Sequence, residues 1–136
     1  MKLDLYVNYN GSCREAFGFY EQHLGGKIRS METFRQLPAE ARIPEERKDE
    51  ILHGRIEIGG GVLMGADIPN AEPMRSAYLT LRFDSAEEAE KIYELLSAGG
   101  EIFMKMEETG FAKRFAMLRD KFGASWMLLY QESGNT

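Results

Sequence analysis

Residues 51–67, ILHGRIEIGGGVLMGAD, decide how the chain is read. Ile56 and Ile58 alternate with His53, Arg55 and Glu57, the glycines 59–61 make a turn, and Val62, Leu63 and Met64 lead a return strand. Period-two alternation running into glycines predicts a β-hairpin. One face of its first arm is aliphatic and is expected to pack on a helix. The other carries an imidazole, a guanidinium and a carboxylate within a few residues, and function is expected on that polar face.

Upstream, residues 2–9, KLDLYVNY, alternate Leu3, Leu5, Val7 and Tyr9 against Asp4, Tyr6 and Asn8, which predicts a half-buried strand. Asn10-Gly11 is a turn dipeptide, and Ser12 with Glu15 has the form of a capping box. The helix it opens shows Ala16, Phe19, Tyr20 and Leu24 on one face and stops at Gly25-Gly26. Residues 27–35 read as a second strand. Residues 36–49, with Pro38 and Pro44, read as a polar connection longer than an ordinary loop, either a flap or a mobile excursion.

Downstream, residues 67–76, with Pro69 and Pro73, are the best linker candidate, and then the pattern starts again. Residues 77–83, AYLTLRF, alternate Leu79, Leu81 and Phe83 against Tyr78, Thr80 and Arg82. Ser85 with Glu88 forms a second capping box, and a helix carrying Ala89, Ile92, Tyr93 and Leu96 ends at Gly99-Gly100. Strands follow at about 101–106, 113–119 and 125–131. Ser12, Glu15, Ala16, Tyr20 and Gly26 recur as Ser85, Glu88, Ala89, Tyr93 and Gly99, each displaced by 73 residues, the mark of an internal duplication. The expected architecture is α+β, with two βαβββ modules, about 1–67 and 77–131, joined by a linker of about 68–76. Each alone exposes a sheet face, so the two are expected to pair.

A chain of 136 residues with 43% hydrophobic and 29% charged residues fits one domain with a real core. Only the polar tail, residues 132–136, has the composition of a disordered segment. The net charge of −5 comes from scattered carboxylates, and no clustered basic face points to nucleic acid. The single cysteine, Cys13, has no internal disulfide partner, no run approaches the roughly 20 apolar residues of a membrane span, and no signal-type segment opens the chain. The expectation is a cytoplasmic protein with no nucleic-acid or membrane partner.

A duplicated βαβββ unit of this size resembles the vicinal oxygen chelate superfamily, which includes glyoxalase I, extradiol dioxygenases and bleomycin- and fosfomycin-resistance proteins. Within it, the resemblance is to the PhnB-like branch. It is carried by YVNYNGSCREAFGFYEQHLGG at 6–26, the His53 hairpin with Val62-Leu63-Met64, and RDKFGASWML at 119–128. The resemblance implies a curved, cup-shaped mixed sheet built from both modules, commonly in a homodimer, with a small-molecule cavity inside. Branch members have carried a demethylubiquinone methyltransferase label. Neither Asn10-Gly11-Ser12 nor Asp84-Ser85 supplies the glycine-rich strand-to-helix turn on which a nucleotide-type methyl donor usually sits.

In the superfamily's metalloenzymes, His and Glu ligands project from the first and last strand of each module. Strand parity puts Asp4 or Leu5, Met64, Tyr78 and Met127 at those positions, which is one carboxylate at best, two thioethers and a phenol. No glyoxalase-type metal and no cofactor are therefore expected. The ligand-lining candidates are Asp4, Tyr6, Asn8, His53, Arg55, Glu57 and Met64 in the first module and Tyr78, Thr80, Arg82 and Met127 in the second. His53 is the candidate acid or base and Arg55 the candidate anion holder. The competing reading puts Arg55 and Glu57 in solvent or in cross-strand pairs and makes His53 a satisfied polar residue. Met64 and Met127 suit an adaptable apolar floor, and Trp126 reads mainly as core. At the start of the first helix the dipole could lower the Cys13 pKa, and His23 reads as a capping or surface residue.

Three functions follow as expectations. The first is a small-molecule-binding protein without a glyoxalase-type metal. The second is a lyase, isomerase or dioxygenase, metal-dependent or using His53 as general base. The third is an antibiotic-sequestering resistance protein.

Overall fold

The computed structural model describes residues 1–132; of the polar tail, residues 133–136 lie outside the described residues. The chain divides into two compact units, Met1–Glu72 and Pro73–Thr136. Each is a helix against a four-stranded mixed sheet, so the α+β class and the repeated unit are both observed. Among the described residues no helix is long and apolar enough to cross a membrane.

In the first unit the order is β1 (Leu5–Tyr9), α1 (Cys13–His23), β2 (Lys27–Thr33), β3 (Ile51–Ile58) and β4 (Gly61–Asp67). The sheet runs β1-β4-β3-β2, with β1 parallel to β4 and the other pairs antiparallel. The β3–β4 hairpin turns where the glycines predict, with Gly59 and Gly60 at φ 55° and 83°. Strand β1 is shorter than the alternation suggests. Asp4 precedes it, and Leu3 is 94% exposed because the β1–β4 pairing begins only at Leu5, which at the end of the ladder is itself 50% exposed.

Helix α1 buries Cys13, Ala16, Phe17 and Tyr20; Phe17, not Phe19, faces the sheet. Phe19 instead stacks on His23, with ring centroids 4.5 Å apart, so His23 is a half-buried ring neighbour. The predicted box at Ser12 does not form: Ser12 makes no side-chain cap bond. The buried Asp67 at the end of β4 takes its place, accepting the Cys13 N–H at 2.9 Å and the Ile51 N–H at 2.8 Å. A carboxylate from another element outcompetes the local serine because it satisfies two buried donors at once.

Phe17 lies over a cross-strand pair of glycines, Gly54 and Gly65. A Cβ on Gly65 would lie 3.0 Å from Phe17 Cζ and 3.0 Å from the Val7 carbonyl oxygen, and the carbonyl belongs to the β1 backbone. Gly65→Ala is therefore expected to cost about 1–3 kcal/mol, the range of overpacking in a filled core. Urea unfolding of the variant checks this; a midpoint equal to wild type would show that β1 yields freely.

Strand β3 carries a bulge. Glu32 pairs with His53 and Thr33 with Ile51, leaving Leu52 without a counterpart. The extra residue flips the parity, so Ile51 is fully buried on the helix side with Ile56 although it lies two residues from His53. Between β2 and β3, the 36–49 segment is neither a strand nor a plain loop. It is part of three 3₁₀ turns, Phe34–Gln36, Ala39–Ala41 and Glu45–Arg47. Its ends are tied by Phe34 N–H to the Glu50 carbonyl and Arg35 N–H to the Lys48 carbonyl. Arg35 also grips both carboxylate oxygens of Asp49, at 2.9 and 3.1 Å, and the Arg47 guanidinium lies 5.0 Å from the Phe34 ring centroid.

The second unit repeats the plan: β5 (Leu79–Phe83), α2 (Ala86–Ser97), β6 (Glu101–Glu107), β7 (Arg114–Arg119) and β8 (Ser125–Tyr130), in the order β5-β8-β7-β6. Here the N-cap forms as read, Ser85 Oγ accepting the Glu88 N–H at 3.1 Å. Ala89, Ile92 and Leu96 are buried as their spacing predicts. Met74, inside the predicted linker, is held in this unit: Arg119 donates to its carbonyl at 2.8 Å and Ser125 Oγ at 3.0 Å. Tyr78 just precedes β5 and is not on the strand.

Candidate functional site

Each sheet has one face under its helix and one open face. On the first sheet, pairing sets Tyr6, Met64, Arg55 and Ser30 in one row across all four strands. Along the strands to either side lie Asn8 opposite Ala66, His53 opposite Glu32, and Val62 opposite Glu57, itself opposite Lys27. The predicted sharing of a face by Tyr6, Asn8, His53, Arg55, Glu57 and Met64 follows from this register. Asp4, ahead of β1 and exposed, is not part of it.

The charges on this face are sorted unequally. Glu57 is taken by Arg29, 2.7 Å away, and that hydrogen-bonded pairing holds its carboxyl below the usual range. Arg55 is half-buried in the middle strands and makes no ion pair or side-chain hydrogen bond with any described residue. Its guanidinium, a five-donor group, bonds to no described residue, although its charge still reaches the Glu57 carboxylate. Beside it along β3, the His53 ring lies 5.8 Å from the Tyr6 ring, tilted by 35°. Partial desolvation of this half-exposed ring, and then the charge of Cys13, push the Tyr6 phenol above its ordinary value.

On the second sheet, Thr80, Met127, Met117 and Met104 form one row, and Arg82, Leu129, Phe115 and Glu107 the next. Thr80, Arg82 and Met127 thus share the open face, Tyr78 lying just ahead of it. Arg82 is exposed and pairs with no described carboxylate. It lines an open cavity of ≈ 270 Å³ at the C-terminal ends of β5 and β8, together with the carboxylates of Asp84 and Glu132 and with Tyr130 and Gln131. Trp126 faces the helix and is buried, as its core reading requires.

Cys13 departs from the dipole argument. It is fully buried, and burial together with the charge of Asp67 pushes its thiol up to about 12. Asp67 already satisfies the helix N-terminus, so the dipole finds its counter-charge there, and Cys13 is inert packing.

The ligand positions inferred by parity do not build a divalent-metal site. Asp4 and Tyr78 fall outside their strands, and Met64 and Met127 are thioethers. Among the described residues no three His, Cys, Asp or Glu side chains come together as metal ligands. The residues present do not fit a glyoxalase-type ion.

Asp67, at the end of the hairpin stretch, and Asp120, at the start of the last turn, carry from spacing alone no sign that their carboxylates are buried acceptors. Their one visible signal is an acid ending a buried apolar strand, VLMGAD and AMLRD. Nothing local reveals which amides they meet.

Comparison with known proteins agrees with this geometry. Protein YjdN of Escherichia coli (strain K12) is 29% identical over 138 residues, covering 94% of each chain. Protein PA1353 of Pseudomonas aeruginosa superposes with a TM-score of 0.84 at 36% identity, covering 96% of this chain and 98% of that one. A PhnB protein of Bacillus cereus shares the fold at TM-score 0.80 and 23% identity, covering 96% of this chain and 99% of that one. The family model for the Glyoxalase/Bleomycin resistance protein/Dioxygenase superfamily matches residues 2–128. With the βαβββ unit present twice and the family pattern spanning both copies, the chain belongs to the glyoxalase/bleomycin resistance protein/dioxygenase superfamily.

Proposed function

We propose that this protein binds a small organic anion on the open face of its first sheet, without a glyoxalase-type divalent metal. The observation that carries the reading is Arg55: a half-buried guanidinium, central on the sheet, whose neighbouring carboxylate is committed to Arg29. Tyr6, Asn8 and His53 supply hydrogen-bonding groups around it, and Met64 supplies adaptable apolar contact. Thr80, Arg82 and Met127 offer a second lining of the same type on the second sheet. The working assembly is a homodimer, a reading supported by the exposed apolar Leu3 and Leu5 beside the β1 edge.

A second reading is enzymatic. The His53–Tyr6 neighbourhood beside Arg55 suits proton transfer on a bound anion, with His53 as general base.

Thermal-shift and calorimetric titration with a panel of small carboxylates and phosphate monoesters tests the proposal. The expected result is binding that weakens about 10–100-fold in Arg55→Gln, the loss of one charged hydrogen-bonding partner. Binding left unchanged by Arg55→Gln, or no binding across the panel, would overturn it. His53→Ala separates the two readings: retained binding without turnover marks a binding protein, whereas loss of a measured turnover with the fold kept marks the enzyme.

A further inference from the structure

The open face of the second sheet, where the anion reading uses Met127 only as an apolar contact, carries a second chemistry. Met104 pairs with Met117, and Met117 with Met127, so three methionines from three adjacent strands stand side by side in one row. We propose that Met104, Met117 and Met127 form a binding site for a soft monovalent cation, Cu(I) or Ag(I), held by three thioether sulfurs.

Geometry supports convergence. Neighbouring strands lie about 4.8 Å apart and registered partners point to the same side; the β6–β7 register shifts on both sides of Met104, which itself stays paired with Met117. A methionine side chain is unbranched, with three rotatable bonds, so the outer two sulfurs can lean over the central one. Access is open: Met104 is 43% exposed, and Met117 and Met127 are half-buried.

Chemistry selects the ion. Uncharged thioethers are soft donors that favour Cu(I) over hard dications, and the row's flanks are Thr80 at its end and Leu129 and Phe115 beside it. The nearby guanidinium of Arg119 is tied to the Met74 carbonyl and to Glu101, so it is not free to swing over the sulfurs. The one thiol, Cys13, is buried in the other unit and is not a competitor. Met106 provides an internal control. A register shift between Met104 and Glu107 places it against Glu90, Tyr93 and Glu94 of α2.

The test is anaerobic titration of the full chain with Cu(I) against a chromophoric chelator, with Ag(I) followed by native mass spectrometry. One ion per chain is expected, with a sulfur-only first shell in X-ray absorption. Met104→Leu is expected to weaken binding at least about tenfold, the loss of one ligand in three, and the Met104→Leu/Met117→Leu/Met127→Leu variant to abolish it. Met106→Leu is expected to change nothing. Leucine nearly conserves volume, and the single variant at exposed Met104 keeps the test decisive if the triple variant does not fold. No stoichiometric ion, an affinity unmoved by Met104→Leu, or an equal loss in Met106→Leu would overturn the proposal. The outcome is independent of anion binding at Arg55.

Discussion

Asp67→Ala is expected to destabilise the first unit by roughly 3–5 kcal/mol, because it strips two buried amides of their acceptor. Asp67 is 1% exposed, and each carboxylate oxygen has its own partner: Oδ1 takes the Cys13 N–H at 2.9 Å and Oδ2 the Ile51 N–H at 2.8 Å. The first bond caps α1, and the second fixes the start of β3, where the bulge sets the face on which His53 and Arg55 stand. Water does not easily replace the carboxylate, since Cys13 and Ile51 are themselves fully buried. Against a typical total of about 5–15 kcal/mol, the loss is large. Asp67→Asn is expected to rescue little, because an amide offers one acceptor and turns a donor toward the remaining N–H. The single cysteine is the built-in reporter, its thiol reacting only when this unit opens. Faster thiol labelling with an earlier denaturation midpoint is the expected result; unchanged labelling would show that the two amides find other acceptors.

Asp120→Ala is the matching experiment in the second unit, with a loss of similar size. Oδ1 accepts the Phe122 and Ala124 N–H groups at 2.9 and 3.0 Å, shaping the β7–β8 turn, and Oδ2 accepts the Trp126 indole N–H at 2.9 Å. Removing it takes this acceptor from three N–H donors at a site 4% exposed, for roughly 3–5 kcal/mol. Asparagine behaves differently here than at Asp67. Its oxygen can keep both turn amides, so of these three bonds Asp120→Asn gives up the one to the indole, about 1–3 kcal/mol. Trp126 is the only tryptophan, and its emission reports this unit directly. The expected order of denaturation midpoints is wild type, Asp120→Asn, Asp120→Ala; equal midpoints for the two variants would assign the stability to the indole bond alone.

These two residues mark the boundary of what sequence reasoning reached. The hairpin at Gly59-Gly60, the second N-cap at Ser85 and the repeat were legible because each is a local signal: a positive φ that glycine tolerates, a hydroxyl three residues from an amide, a period in the apolar positions. The open-face grouping of Tyr6, Asn8, His53, Arg55, Glu57 and Met64 was legible through period-two parity. Parity ran out where pairing begins, one residue past Asp4 and Tyr78, and it does not carry across the bulge to Ile51. The first N-cap erred for another reason: Ser12 and Glu15 have the right spacing, but Asp67, 54 residues from Cys13, is the stronger acceptor.

By itself, the sequence determined the α+β class, the duplicated unit, the turn positions and which strand residues share a face, because all of these follow from spacing along one chain. Tertiary structure decided the rest. It chose Arg29 as the hydrogen-bonded partner of Glu57 and so left Arg55 without an ion pair among the described residues, aligned three methionines from three strands, and brought Asp67 to the start of α1. Those outcomes depend on cross-strand register and on competition among distant donors and acceptors, and neither is encoded in any local run of residues.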